Sequence, residues 1–216
     1  MTIRTTRFTL ALTLFAPALA AAQAVSDSGT FAILHAGDTV ATEQFSRTAT
    51  QLVGTLAIRN AKSTSQRWEA VLAPDGTVPL IQVTVREGKD SGERAARVVQ
   101  RARVIFKEDS VAVDEVGGSG VQTRLFATQR GAVPYLNLSF ALLEQTVRRT
   151  RAQSSAMQVA LFNLGGGQTL VARLSPLGND SLSMDIGPVQ LRLRVDPVGR
   201  VLGAWIPAQG VIVERR

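Results

Sequence analysis

The chain of 216 residues contains no cysteine and a single histidine, His35. Without cysteine, disulfide bonds, thiol catalysis and cysteine-bound metals are excluded. With one histidine, a zinc site would have to be built mainly from carboxylates, which proteins rarely do. The sequence therefore predicts no metal site and no cofactor.

Motifs of catalysis are equally scarce. A Ser-His-acid triad would have to include His35, which lies in a predicted turn, and no serine is placed in a nucleophile elbow. The triple glycine at 165–167 is followed by neither G-K-S/T nor a helix, which indicates a hairpin turn rather than a phosphate loop. We therefore predict no catalytic residues and a protein that is not an enzyme.

Acidic residues occur in loose pairs, but none has the form of a calcium loop. Several of these aspartates stand at predicted turns, where aspartate is favoured for its hydrogen bonds to nearby backbone. The pairs are Asp38 with Glu43, Asp114 with Glu115, and Asp180 with Asp185. A carboxylate-dependent hydrolase is therefore a secondary alternative.

Aromatic residues are few, with nine beyond residue 22. Outer-membrane barrels carry aromatic girdles and usually end in an aromatic residue, whereas this sequence ends in Arg216. The composition therefore argues against an outer-membrane barrel. No aromatics are interleaved with the arginines at 94, 97, 101 and 103, as they are in single-strand binders. These arginines could form a patch for anionic lipid, polysaccharide or nucleic acid, but a solvated outer sheet face is the favoured interpretation. We predict no nucleic-acid partner.

The first residues have the pattern of a secretory signal peptide. Arg4 and Arg7 precede an apolar stretch from Phe8 to Ala16, and alanine-rich sequence with several A-x-A sites follows. We expect residues 1–22 to be the signal, with cleavage possible between 20 and 24, and residues 25–216 to form one domain. The protein would be exported to the periplasm or the exterior. The mature part has no second apolar stretch of membrane-spanning length. Removal of the signal lowers the net charge from +7 to +5.

The mature chain alternates between apolar and polar residues in many short segments separated by tight turns. Leu191 and Leu193, for example, alternate with Arg192 and Arg194, so the leucines should be buried and the arginines exposed. One segment, about 136–151, has helical spacing instead. The predicted fold is mainly β: a strongly curved antiparallel meander, from half-barrel to closed barrel. Its amphipathic helix covers the concave face or an open end.

Two stretches near the ends of the mature chain resemble uncharacterised exported bacterial β-sheet proteins. The first is Gly29-Thr30-Phe31 with Gly37-Asp38 and Glu43-x-Phe45. The second is Val195-Asp196-x-x-Gly199-Arg200-Val201 leading to Ile206-Pro207-x-Gln209-Gly210. The resemblance implies a curved sheet near the half-barrel type of lipoprotein carriers, and it implies no established activity.

Two non-enzymatic functions fit this fold. The first is an exported protein that binds an apolar small molecule or lipid between sheet and helix. Its predicted lining residues are Phe140, Leu143, Val147 and Trp205. The alternative is a structural or assembly protein of the cell envelope that acts through a sheet edge or a basic face. A large cavity would favour the first and a packed interior the second, while the oligomeric state stays open.

Overall fold

Fifteen strands and one α-helix make up the described part of the chain, which is residues 27–59, 61–88, 96–117, 120–152 and 157–216 of a computed structural model. The expected signal peptide and Arg94 lie outside these ranges. The elements in chain order are β1 (Asp27–His35), β2 (Asp38–Arg47), β3 (Gln51–Ile58), β4 (Thr64–Val71), β5 (Leu80–Glu87), β6 (Arg97–Phe106), β7 (Ser110–Gly117), β8 (Gly120–Ala127), β9 (Val133–Tyr135), α1 (Phe140–Ala152), β10 (Gln158–Asn163), β11 (Thr169–Pro176), β12 (Ser181–Ile186), β13 (Val189–Val195), β14 (Val201–Ile206), a short 3-10 turn (Pro207–Gln209) and β15 (Val211–Arg215).

All fifteen strands belong to one sheet, in the order β8-β7-β6-β5-β4-β3-β2-β1-β15-β14-β13-β12-β11-β10-β9. Neighbours pair antiparallel except β9 and β10, which are parallel. Strand β1 pairs with β15, so the first and last strands join the two halves of the meander. The hairpin between β1 and β2 turns through Ala36 and Gly37, both at positive φ, as a tight two-residue turn requires. The mainly antiparallel β fold with one helix is confirmed.

The alternation that predicts the fold also predicts its two faces. Leu191 and Leu193 of β13 are buried, and Arg192 and Arg194 between them are exposed. The sequence is ambiguous between helix and strand before Arg101. The structure has strand β6 from Arg97 onward.

The helix lies in the concave face of the sheet, but it begins four residues later than the predicted start at 136. Pro134, ahead of the helix, lies in β9, and Leu138 adopts a left-handed φ of 65° that stops a helix from forming across it. Ser139 caps the helix, because its hydroxyl accepts a hydrogen bond from the Leu142 N–H at 3.4 Å. From Phe140 to Val147 every residue is buried.

The two ends of the sheet overlap without closing into a barrel. On β10, Leu161 and Phe162 point to opposite faces, and both are buried. Phe162 packs against Phe106 and Phe126, with ring centroids 5.9 and 5.7 Å apart. Phe106 and Phe126 each lie opposite the buried Val111 in the strand register. Their rings are therefore on the inner face of the other end of the sheet. The inner face of β6–β8 therefore covers the outer face of β10.

Candidate functional site

A buried carboxylate from strand β2 holds the N-terminus of the helix. Glu43 accepts hydrogen bonds from the Ser139 hydroxyl at 2.5 Å, and from the backbone N–H groups of Phe140 and Ala141 at 2.7 and 2.9 Å. The first N–H groups of a helix have no partner within the helix, and their dipoles favour a negative group. Glu43 thus satisfies donors that would otherwise be buried and unpaired.

The same carboxylate is fully enclosed, and this controls its protonation. Desolvation by burial raises the pKa of Glu43 from 4.5 to about 7, and the nearby Glu144 acts in the same direction. The three hydrogen bonds lower the pKa of Glu43, but by less than burial raises it. Glu43 therefore changes charge close to neutral pH.

The middle of the helix carries a second buried carboxylate, Glu144, at the centre of an ionic cluster. One oxygen of Glu144 lies 2.9 Å from Nε of Arg148, and the other lies 2.8 Å from Nη1 of Arg215. The second oxygen also accepts the N–H of Val201 at 2.9 Å. Asp27 closes the ring, since its two oxygens bind Arg148 at 2.9 Å and Arg215 at 2.7 Å. Glu144 and Arg148 are four residues apart on the helix, and in their pair Glu144 is fully buried and Arg148 partly buried.

Arg47 adds a third cation to this cluster. Its Nη2 lies 3.8 Å from Glu144, and its Nη1 donates to the amide oxygen of Gln145 at 2.5 Å. Burial, with Arg148 nearby, lowers the pKa of Arg47 to about 10. Gln145 in turn donates to the carbonyl of Gly76 at 2.8 Å, beyond strand β4. The ionic cluster thus ties the helix to β1, β2, β14, β15 and the loop before β5.

The two buried carboxylates hold the helix in place. Both Glu43 and Glu144 are fully enclosed and hydrogen-bonded, so they fix the helix in the sheet and present no oxygen to solvent.

The sequence contains a signal for Glu43 and Arg47 that was not recognised among the candidate residues. Glu43 and Arg47 have the same parity on β2 as the buried Ala41 and Phe45, so two charges stand on a core face.

Three of the predicted ligand-binding residues come together, and they pack the core. Phe140, Leu143 and Val147 are all buried between helix and sheet, with the Phe140 ring 5.9 Å from that of Phe31. A cavity of about 70 Å³ adjoins Phe140 and Leu143 and is completed by Leu138, Val189 and other residues. Drug-sized ligands need roughly 300 Å³ or more. The space is therefore far too small for an acyl chain.

Trp205 does not join them. Its neighbours Ala204 and Ile206 point inward and are buried, whereas Trp205 projects from the outer face of β14 and is 44% exposed. This differs from the expectation that Trp205 lines a pocket beside the helix. The guanidinium of Arg192 covers its ring at 5.1 Å.

Strand β8 is the exposed end of the sheet. It pairs with β7 on one side, and no strand among the described residues pairs with its other side. Phe126 is anchored against Phe162, but the segment from Gly120 to Leu125, here called the free edge, is exposed on both faces.

The remaining sequence candidates are scattered over the surface. His35 ends β1 and is exposed, and Gly165–Gly167 form the turn between β10 and β11. Within the described ranges, no three of His, Asp and Glu come close enough together to hold a metal ion. Across these same ranges, no helix is long and apolar enough to cross a membrane.

Comparisons with known proteins bear on the fold. No protein-family model matches the sequence, and no curated protein matches it. The chain is similar in structure to a DUF1089 family protein of Pseudomonas aeruginosa, with a TM-score of 0.55 and 12% identity over 80% of this chain and 91% of that one. It also matches a β-barrel-like protein of Brucella abortus, from the domain of unknown function DUF1849. That match has a TM-score of 0.47 and 9% identity over 88% of this chain and 95% of that one.

The Pseudomonas structure supports the fold and carries no activity across at this identity. The resemblance to uncharacterised β-sheet proteins agrees with the likeness to the Pseudomonas structure. Neither protein is described as a lipoprotein carrier, so that part of the resemblance stays a prediction.

Proposed function

We propose that this protein is an exported, non-enzymatic docking protein of the cell envelope that binds an extended segment of a partner protein along the free edge. The signal-like N-terminus supports export, with cleavage between residues 20 and 24. The filled interior favours this function over an internal ligand, because the helix and its buried core residues occupy the concave face.

The single observation that carries the proposal is the free edge itself. An edge strand presents a row of backbone N–H and C=O groups that can pair with another strand. Here the edge is long, since Gly120–Leu125 extends past the anchored Phe126, and its outer face carries two exposed apolar side chains, Val121 at 63% and Leu125 at 72%. Natural proteins usually shorten, charge or cover such an edge.

The two faces of the free edge indicate what the partner segment looks like. On the outer face Val121 lies beside Val116 of the neighbouring strand, and Leu125 lies four residues further along. Thr123, which donates a hydrogen bond to Asp114, stands between them. On the inner face Arg124 pairs with Glu115, and Gln122 lies opposite Glu115. A strand with apolar side chains on one face and polar or charged ones on the other complements this edge.

Site-directed photo-cross-linking in cells tests the proposal. A photoreactive amino acid replaces Thr123 at the centre of the free edge, and in a matched control it replaces Gln44, an exposed residue in mid-sheet strand β2. We expect a discrete cross-linked product from position 123 and none from position 44. Placing lysines at Val121 and Leu125 should abolish the product, because charges on the edge oppose strand addition.

The mass of the product identifies the partner. A product of twice the chain mass is a second copy of this protein, and any other mass is a different protein. The proposal is wrong if position 123 gives no product, or if the product survives the two lysines.

Binding of a small apolar molecule beside the helix is a second candidate, and the cavity at Phe140 and Leu143 is the observation that favours it. At about 70 Å³ it accommodates a few methylene groups at most. Titration with a small apolar fluorescent probe checks this function. Saturable uptake by the wild-type protein that is lost in Leu143→Trp, which fills the cavity, would support it.

A further inference from the structure

A groove of about 510 Å³ crosses the outer face of strands β13, β14 and β15, away from the free edge in strand order. We call it the outer groove. Its principal lining residues are Leu177, Arg192, Arg194, Gly203, Trp205 and Ile212.

The strand register explains the shape of the outer groove. Arg192, Trp205 and Ile212 lie opposite one another and form one row across the three strands. In the next row Gly203 stands between Arg194 and Glu214, so a position with no side chain adjoins the large indole. The floor of the groove is therefore backbone, and the indole forms one wall.

The apolar part of the outer groove is unusual for an outer sheet face. Trp205, Ile212 and Leu177 are all exposed, although the chain's other tryptophan, Trp68, is completely buried. An exposed cluster of large apolar side chains rimmed by polar groups marks an interaction surface. Tryptophan in particular prefers the boundary between water and lipid, where its ring is apolar and its N–H stays wet.

The charged part of the outer groove is positive. Neither Arg192 nor Arg194 forms a side-chain hydrogen bond or ion pair with any described residue. The guanidinium carbon of Arg192 lies 5.1 Å from the centre of the Trp205 ring, a contact with the ring face that uses none of its N–H donors. The acid that lines the groove, Glu214, is paired with Arg216, with Nη2 and Oε2 3.5 Å apart, so the cations of this surface outnumber its acids.

We propose that the outer groove docks the protein on an anionic lipid bilayer surface. Trp205 and Ile212 enter the interface between headgroups and acyl chains, and Arg192 and Arg194 bind lipid phosphates. This chemistry fits a bilayer better than a soluble anion, because a soluble anion would use the arginines and leave the exposed apolar residues in water. The surface is separate from the free edge, so the protein can lie on a membrane while the free edge binds its partner segment.

Vesicle binding tests this directly, because the two tryptophans give a built-in readout. The mature protein is titrated with vesicles of phosphatidylcholine and phosphatidylglycerol in equal parts, and with vesicles of phosphatidylcholine alone. We expect a blue shift of tryptophan emission and co-sedimentation with the anionic vesicles. The shift reports Trp205, since Trp68 is already buried.

Matched variants assign the effect to the outer groove. Arg192→Gln with Arg194→Gln should weaken partitioning about thirty-fold, since each basic residue near an anionic surface changes it roughly five-fold. Trp205→Ala should also weaken binding and should abolish the blue shift. The control is Arg101→Gln with Arg103→Gln, which removes the same charge from the exposed outer face of β6 and should have little effect. Unchanged melting temperatures show that the variants fold.

Three outcomes would overturn the proposal. One is the absence of any blue shift with anionic vesicles. Another is an equal loss of binding in both double-arginine variants, which would show attraction by net charge alone. The third is full inhibition of vesicle binding by soluble glycerophosphoglycerol at millimolar concentration, which would assign the arginines to a soluble phosphate.

Discussion

Replacing Glu43 with glutamine should remove a pH dependence of stability that this one carboxylate creates. Its pKa is raised from 4.5 to about 7 in the folded protein, mainly by burial. The folded state therefore binds the proton more tightly than the unfolded state. The resulting stabilisation is complete below pH 4.5 and is lost as the pH rises through 7. A difference of this size corresponds to about 3 kcal/mol.

The assay is urea unfolding of the wild type and Glu43→Gln at a series of pH values from 4.5 to 8, at constant ionic strength. Glutamine keeps an oxygen for the helix N–H groups and does not titrate. The free energy of unfolding of the wild type, relative to the variant, should therefore fall by about 3 kcal/mol across this range. Subtracting the two curves cancels the titration of every other group.

Glu214→Gln is the matched control, because its side chain is 55% exposed and lies on the opposite face of β15 from Arg215 of the ionic cluster. Its curve should run parallel to that of the wild type. A Glu43→Gln difference that is constant with pH would refute the reasoning. A difference that increases with pH would show that the three hydrogen bonds outweigh burial.

Three further substitutions, one of them with a matched control, test the packing and the ionic cluster by the same unfolding assay. Glu144→Ala should cost about 3–5 kcal/mol, because it removes the buried anion that Arg47, Arg148 and Arg215 share. Glu108→Ala, from a pair whose side chains are 77% and 78% exposed, should cost no more than about 1 kcal/mol. Phe140→Ala should cost about 3–5 kcal/mol as a core truncation, and a loss below 1 kcal/mol would mean that its site is not packed. Gly54→Ala should cost at least about 1–3 kcal/mol, because its Cβ would lie 2.2 Å from Cζ2 of Trp68; a neutral result would contradict this close contact.

Local patterns were enough to predict the strands and the existence of the helix. Period-2 alternation depends on neighbouring residues only, and Leu191 to Arg194 are oriented as it predicts. The start of the helix was predicted too early, because one of the groups that fix it is distant in sequence. Glu43, which binds the first N–H groups, is 96 residues away from Ser139, and the left-handed φ of Leu138 has no marker in the sequence.

The orientation of Trp205 could not be predicted from its strand. The segment Val201 to Ile206 is apolar on both faces, so alternation does not distinguish inside from outside. The overlap of the sheet ends likewise depends on contacts between residues that are distant in sequence, such as Phe162 and Phe126. The same overlap leaves the free edge exposed, and a single strand's sequence does not show whether it lies at an edge.

Native mass spectrometry of the protein isolated from its own cells, with lipids retained, tests most directly whether helix α1 fills the interior. If helix α1 fills the interior, the spectrum should show the mass of the mature chain, alone or with a protein partner. Any bound lipid should be lost when the outer groove is altered by Trp205→Ala. A stoichiometric acyl-chain adduct that survives in that variant would contradict the account, because it would show a lipid site other than the outer groove, as expected if the interior between sheet and helix were open.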